Sequence, residues 1–540
     1  MKERREKSGR WRAGMAFILS ILLLLLTACT PPPRSDQNRQ KSSDMTAETE
    51  SADELSAEVA VEHPTLVEDS HLLDRYPEEE FSAQDDDQDT ETISAVPTDT
   101  SEDIAEVGDS TEIEESTEGD VNVSNAESLM DGGEASPAAS RASEVKEFGI
   151  FFPVLEMPPY EVGAKASIVA VGDVLFHSHM IAGGEQEDGT YDYNFMFEYI
   201  RDINGQADYA LCDMEGTLAG EPYTGYPLFS APDAVAEAMK NGGFDMVTAM
   251  NNHSIDRWAE GVVRTNQVLR DYGLEVIGTR RSEDETTWSV QELNGIKVGF
   301  AAWSYETGRQ DDQRSLNGIT IPEDALPLVN SFTQEEPYFS EDLKRMTDQA
   351  TAMREAGAEV LIYFLHSGTE YSSEPNDVQR QLAETLATAG VDVIFNCGPH
   401  VILPVESVPR PDYQTPMLCF YSLGNCVSDQ LFDTDNNQGR AEDGMIGMVQ
   451  FERRFDGSVT LCDAGYYLTY CYKLNDGNGR TKNRPIPVRQ ALYAPGSFGI
   501  EGSEDLFEDS LARSTDMMSN NKVDFEFFSE KVNPSDIHVE

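Results

Sequence analysis

Ser167-Ile168-Val169-Ala170-Val171-Gly172-Asp173 is a short apolar run that stops at a glycine and delivers an acidic residue. A run of this kind suits a buried strand. Reading outward, the pattern recurs. Ala210-Leu211-Cys212, Met246 to Met250, Val360-Leu361-Ile362-Tyr363-Phe364-Leu365 and Val391 to Phe395 are further apolar runs of strand length. Helical stretches lie between them, around Phe195 to Ile203, Pro232 to Lys240, Asp256 to Tyr272, Leu343 to Ala356 and Val378 to Ala389. The third carries Trp258, Val262, Val263, Val268 and Leu269 at helical spacing and stops at Gly273. Asn294-Gly295 separates two β-rich runs, a strong hairpin signal, and after Arg410 the pattern turns β-rich with a hairpin at Asp456-Gly457. Strands alternating with helices predict an α/β layered domain that begins near Glu147.

The chain has 540 residues, enough for two or three domains. Lys2, Arg4, Arg5, Lys7, Arg10 and Arg12 precede an apolar core from Met15 to Leu26, and Leu26-Thr27-Ala28-Cys29 follows. That order of charge, apolar core and small residues is the order of a secretory leader, and the core is too short for a comfortable membrane span. The surroundings of Cys29 resemble a bacterial lipobox. The likeness implies cleavage before Cys29, lipid attachment to its sulfur, and a chain held on the outer face of the cell membrane. An ordinary N-terminal anchor helix, with Cys29 incidental, is the alternative. From there to about Ser143 the chain is rich in Ser, Thr and acidic runs such as Asp85-Asp86-Asp87, with few apolar residues, so it reads as a disordered spacer. The expected organisation is a leader over 1–28, an acidic spacer over 29–146, a main domain over 147–435, a β-rich extension over 436–500 and an acidic tail over 501–540.

With 99 acidic against 39 basic residues, the net charge is −60. Such a surface repels nucleic acid, whose binding rests on Lys and Arg. Seven cysteines are too sparse for a disulfide framework and match no zinc-ligand spacing, so free thiols are expected beyond Cys29.

The eight histidines locate the chemistry. His63 and His71 lie in the acidic spacer and His538 in the tail. His177, His179, His253, His366 and His400 each follow a predicted strand closely, as do Asp173 and Glu215. Ligands bind at the carboxyl ends of strands in open α/β sheets, so these residues could converge on one edge. Asp, Glu, Asn and His together are the donor set of a hard or borderline divalent ion. Taken singly, each has a plainer reading: Asp173 as a turn residue or helix cap, Asn251 and Asn252 as turn formers, a lone histidine as structural.

Six segments carry a family likeness: Val171-Gly172-Asp173-Val174-Leu175-Phe176-His177, Asp213-Met214-Glu215, Asn251-Asn252-His253-Ser254-Ile255-Asp256-Arg257, His366-Ser367-Gly368-Thr369-Glu370-Tyr371, Gly398-Pro399-His400-Val401 with Pro404-Val405-Glu406, and Tyr421-Ser422-Leu423-Gly424-Asn425. In order and spacing they resemble the CapA family of poly-γ-glutamate capsule synthesis proteins, over about Lys165 to Asp429. The resemblance implies a metallophosphoesterase-like fold, a β-sandwich flanked by helices. It also implies metal roles for Asp173, Glu215, Asn252, His366 and His400, with His253 as the acid or electrostatic partner. The implied cofactor is a divalent ion, manganese, zinc or iron. The implied partners are an anionic polymer such as poly-γ-glutamate and the capsule synthesis or export machinery.

Three departures stand out. Asp213 replaces the usual Asn of Asn-Leu-Glu, Ser367 replaces the Trp of His-Trp-Gly, and Gly398 replaces the first histidine of His-Pro-His. Cys397 lies beside the last and could act as a soft substitute. Two readings therefore remain open: a metal-dependent hydrolase, and a non-catalytic binding or scaffolding lipoprotein of an export complex.

Overall fold

The computed structural model describes residues 160–310, 313–411, 415–430, 437 and 439–532. The leader, Cys29 and the acidic spacer lie outside these residues. Two sheets dominate. The first runs, strand by strand, Thr481–Pro487, Val459–Asn475, Asp443–Arg453, Lys165–Leu175, Tyr209–Glu215, Met246–Thr248 and Glu275–Ile277, with Asn425–Val427 added beside Lys165–Leu175. Its last four strands in that order are parallel, and the 443–487 hairpins are antiparallel. The second sheet runs Ser331–Phe332, Ile296–Tyr305, Val360–His366, Val393–Cys397, Met417–Leu423 and Ile402–Val408. Trp288–Leu293 pairs antiparallel to Ile296–Tyr305 through Asn294-Gly295, and the positive φ of both turn residues matches the right-handed twist of the hairpin.

Side-chain alternation shows how the layers stack. In the strand at 360–366, Val360, Ile362 and Phe364 share one apolar cluster with Ile168, Leu211 and Phe395, between the sheets. Leu361, Tyr363 and Leu365 face the other way, onto Phe339, Met346 and Met353 of the helix Tyr338–Glu355 and Leu382 and Leu386 of Asp377–Thr388. The first sheet repeats the arrangement. Val169, Val171, Ala210 and Cys212 pack on Val235 and Met239 of Ala234–Asn241 and on Val268 and Leu269 of Trp258–Asp271. The result is helices, sheet, sheet, helices: an α/β sandwich flanked on both sides, as expected. Strands buried on both faces read as continuous apolar runs, which is why the sequence displays them so clearly.

Two expectations need correction. The helix expected over 195–203 is confined to Arg201–Gln206, because 194–200 is spent in tight turns, one closed by Asp192 accepting from Asn194 N–H and others by three-residue-spaced backbone bonds. The acidic tail expected over 501–540 is, through residue 532, part of the folded unit. Glu504–Met518 is a helix that buries Phe507, Ser510, Ser514 and Met518, and Ser529–Glu530 pairs with Val459–Asn475. The six described cysteines are free thiols. Among the described residues no helix is long and apolar enough to cross a membrane.

Candidate metal centre

The carboxyl ends of both sheets' parallel strands meet at one place. Lys165–Leu175 carries Asp173 there because its register slips between Ala170 and Asp173, and the strand then pairs with Asn425. Gly172 permits the slip: a Cβ there would lie 1.8 Å from the Gly424 carbonyl oxygen. Asp173 sits beside Asp213 in register, and Glu215, two residues on, projects from the same face. In the second sheet His366 and Cys397 are registered neighbours at the ends of parallel strands. His400 follows at the end of a loop that turns at Gly398 (φ +102°) and is itself left-handed (φ +58°).

The side chains converge as two sets. Asp173, Asp213, His366 and Cys397 each offer a ligand atom, all within 4.8 Å of one another; Asp173, Glu215 and His400 form the second set under the same limit. Asp173 belongs to both. Its Oδ1 lies 3.6 Å from His366 Nδ1, and its Oδ2 lies 3.3 Å from His400 Nδ1. His366 Nδ1 is 3.1 Å from Asp213 Oδ2, and its Nε2 is 3.7 Å from Glu215 Oε1. Second contacts steady the cluster. Asn251 Nδ2 donates to Asp213 Oδ1 (3.2 Å), Gly398 N–H to Asp173 Oδ2 (3.3 Å), and Asn425 Oδ1 lies 3.0 Å from His400 Nδ1.

Three carboxylates with no exposed surface, held this close, are costly without a cation. Asp173 Oδ1, both oxygens of Glu215 and Oδ1 of Asn252 are buried without a hydrogen-bond partner. Burial pushes the Glu215 carboxyl up to about 7, against the pull of His400. Burial alone would lower both imidazoles, but the surrounding carboxylates, Glu215 foremost, outweigh it. His366 rises to about 9 and His400 to about 10. The two rings are thus the cations of the metal-free cluster. Orphaned carboxylate and amide oxygens, imidazoles and a thiol are a donor set that fits a divalent ion.

Of the residues singled out in the sequence, Asp173, Glu215, His366 and His400 come together. Asn252 lies in the adjoining turn with its side-chain oxygen buried and without a partner. His253 sits in the same turn, with Nδ1 2.8 Å from Asp256 Oδ2 and its backbone N–H donated to Asn251 Oδ1. The edge-to-face ring of Phe229, 4.7 Å between centroids, restricts the imidazole, and Asp256 Oδ2 also accepts from Phe229 N–H (2.7 Å). His177 packs edge-on against the same Phe229 ring, 5.4 Å between centroids, and its Nδ1 accepts from Asp429 N–H, while His179 lies on the outer side beside the Asp429 carboxylate. Sequence reasoning undervalued Asp213 and missed Asp256 as a partner for His253. The two-residue spacing of Asp213 and Glu215 in a strand was the available signal. A Cβ at Gly398 would lie 3.0 Å from His366 Cδ2 and Nε2, so the ring would have to give by a few tenths of an ångström, at a backbone angle that disfavours side chains.

Residues 167–430 match the family described as bacterial capsule synthesis protein PGA_cap. The PGA biosynthesis protein CapA of Bacillus subtilis (strain 168) is 25% identical over 336 residues, which cover 60% of this chain and 72% of that one. The capsule biosynthesis protein CapA of Bacillus anthracis is 24% identical over 311 residues, 55% of this chain and 66% of that one, slightly under two thirds of its length. Among solved structures, the NAD nucleotidase of Haemophilus influenzae superposes with a TM-score of 0.36 at 12% identity, over 67% of this chain and 58% of that one, a likeness too slight to build on.

Proposed function

We propose that the chain, whose residues 167–430 match the bacterial capsule synthesis family, is a metal-dependent hydrolase tethered to the cell surface. It acts in the synthesis, release or attachment of an anionic extracellular polymer, poly-γ-glutamate by family likeness. The carrying observation is the buried cluster of unpartnered carboxylate oxygens centred on Asp173.

Asp173, Asp213, Glu215, Asn252, His366 and His400 would hold the ion or ions. Divalent ions in such a cluster supply Lewis acidity and positive charge opposite an anionic group. That charge matters in a chain of net charge −60, which otherwise repels a polyanion. In the tautomer that places the proton on Nδ1, Asp256 Oδ2 accepts it across 2.8 Å and Nε2 is left to exchange a proton with the substrate. Asn251 holds the turn that carries His253 and, through its amide, orients Asp213. A second reading, a binding subunit without catalysis, draws on Gly398, which removes the family's histidine.

Elemental analysis and calorimetric titration test the metal. The protein should bind divalent ions, and affinity should depend on pH with a definite sign. The raised pKa values of His366 and His400 stabilise the metal-free fold fully below about 6.5, and that contribution is lost as pH rises through about 9 to 10. A cation competes with those protons, so apparent affinity should weaken as pH falls below about 9, by up to about tenfold per pH unit for each proton displaced. A protein that binds no divalent ion, or binds equally well at pH 6 and pH 9, contradicts the reading.

Anchoring rests on Cys29, whose thiol alone can carry a thioether. Cys29→Ala should leave uncleaved precursor or shed protein. Processing and membrane retention equal to the parent's, seen by fractionation, would rule out the lipid anchor.

A further inference from the structure

We propose that Cys397 is a thiolate ligand, so that the two halves of the centre differ in metal preference: a sulfur-containing half formed by Asp213, His366, Cys397 and Asp173, and an oxygen and nitrogen half formed by Asp173, Glu215 and His400. The inference rests on the metal-centre reading above and adds the softness of one half to it.

Register carries the first part of the argument. Cys397 ends Val393–Cys397 directly opposite His366, and both face the space between the sheets, as Phe395 and Phe364 do earlier on the same strands. Its Sγ lies 3.4 Å from Asp213 Oδ2 and 3.5 Å from His366 Nδ1. The thiol is therefore within a ligand cluster, unlike Cys212, which points from its strand into the helix-side core. The second part is independent of the cysteine. Asp173 Oδ1, fully buried and without a hydrogen-bond partner, is the oxygen nearer His366 and so faces this half, while Oδ2 faces His400. The third part is Gly398. Its φ of +102° and a Cβ position 3.0 Å from the His366 ring disfavour an imidazole there, and Cys397 is the neighbouring donor within reach of this half.

The chemistry follows from donor softness. Thiolate and imidazole favour zinc, cobalt and ferrous ions, whereas a carboxylate-rich set with one imidazole accepts manganese or magnesium as well. On binding, the S–H bond gives its proton to solvent and a sulfur–metal bond forms. No oxidant or reductant is needed.

Cobalt(II) and zinc added to the metal-free full-length protein test this. Wild-type protein loaded with cobalt should show a thiolate-to-cobalt charge-transfer band in the near ultraviolet. Cys397→Ser should lose the band yet still bind cobalt through the Glu215 and His400 half, and Cys212→Ser should keep it. Zinc affinity of the sulfur half should fall in Cys397→Ser by more than the roughly 10–100-fold typical of losing an outer-shell partner, with manganese affinity little changed. A band that is absent from cobalt-loaded wild type, or that persists in Cys397→Ser, overturns the thiolate while leaving the centre standing; wild type that binds no cobalt at all overturns the centre itself. Should Cys397→Ser fail to fold, zinc-edge X-ray absorption of wild type decides. A sulfur shell at about 2.3 Å supports the inference, and a shell of nitrogen and oxygen alone at about 2.0–2.1 Å overturns it.

Discussion

Asp173→Asn should strip the centre of metal and reduce metal-dependent hydrolysis by more than about a hundredfold, the largest effect expected of any single change. Asp173 is the one residue common to both ligand sets, with one oxygen turned to His366 and the other to His400. Losing an outer-shell partner typically costs roughly 10–100-fold in metal affinity, and Asp173 stands inside that shell for both halves. Asparagine keeps the shape and can still accept from Gly398 N–H, so the fold has little reason to fail. Burial raises the Asp173 carboxyl, but His400 and His366 outweigh it and hold it below its ordinary range, so losing the charge costs the metal-free protein some stability. The expected pattern is therefore a folded variant with a modestly lower thermal melt without metal, and metal content near zero. A folded variant that retains the parent's metal would remove Asp173 from the centre.

His253→Ala should give the second-largest effect, with metal content preserved. Positioned proton transfer contributes typically about 10²–10⁴-fold, and the loss should appear in kcat. Asp256 and the Phe229 ring fix the His253 imidazole, and the backbone that carries it is anchored on Asn251. Alanine removes the ring without touching the carboxylates. A fall in metal content in step with activity would instead make His253 a ligand, and an unchanged kcat would end its proposed part in proton transfer.

The layered fold was legible because its strands are buried on both sides. Val360 to Leu365 cannot alternate when both faces are dry, and the unbroken apolar run is the trace of that burial. Strand-end histidines were legible for a topological reason, since carboxyl ends of parallel strands converge. Asp213 was harder. In the sequence it is a mismatch to a family motif, and its place depends on the registers Asp173 with Asp213 and His366 with Cys397, which pair segments far apart in the chain. The last helix was hidden by composition. Glu504–Met518 is acidic overall, yet Phe507, Ser510, Ser514 and Met518 lie at helical spacing on one face, and only half of them are apolar.

Asp173 meets the backbone N–H of Gly398 across 225 positions of chain, and Asp213 meets His366 across 153. Carboxylates come from one sheet and imidazoles from the other, so neither half of the sequence holds a usable site by itself. A growing chain that has not yet delivered residues 366 to 397 lacks the second sheet's donors and cannot assemble either half of this centre, however abundant the ion is where the ribosome works. Loading waits for tertiary assembly. An ion bound there would be drawn from whichever compartment the polypeptide folds in, so geography and timing, as much as ligand chemistry, would decide what it carries.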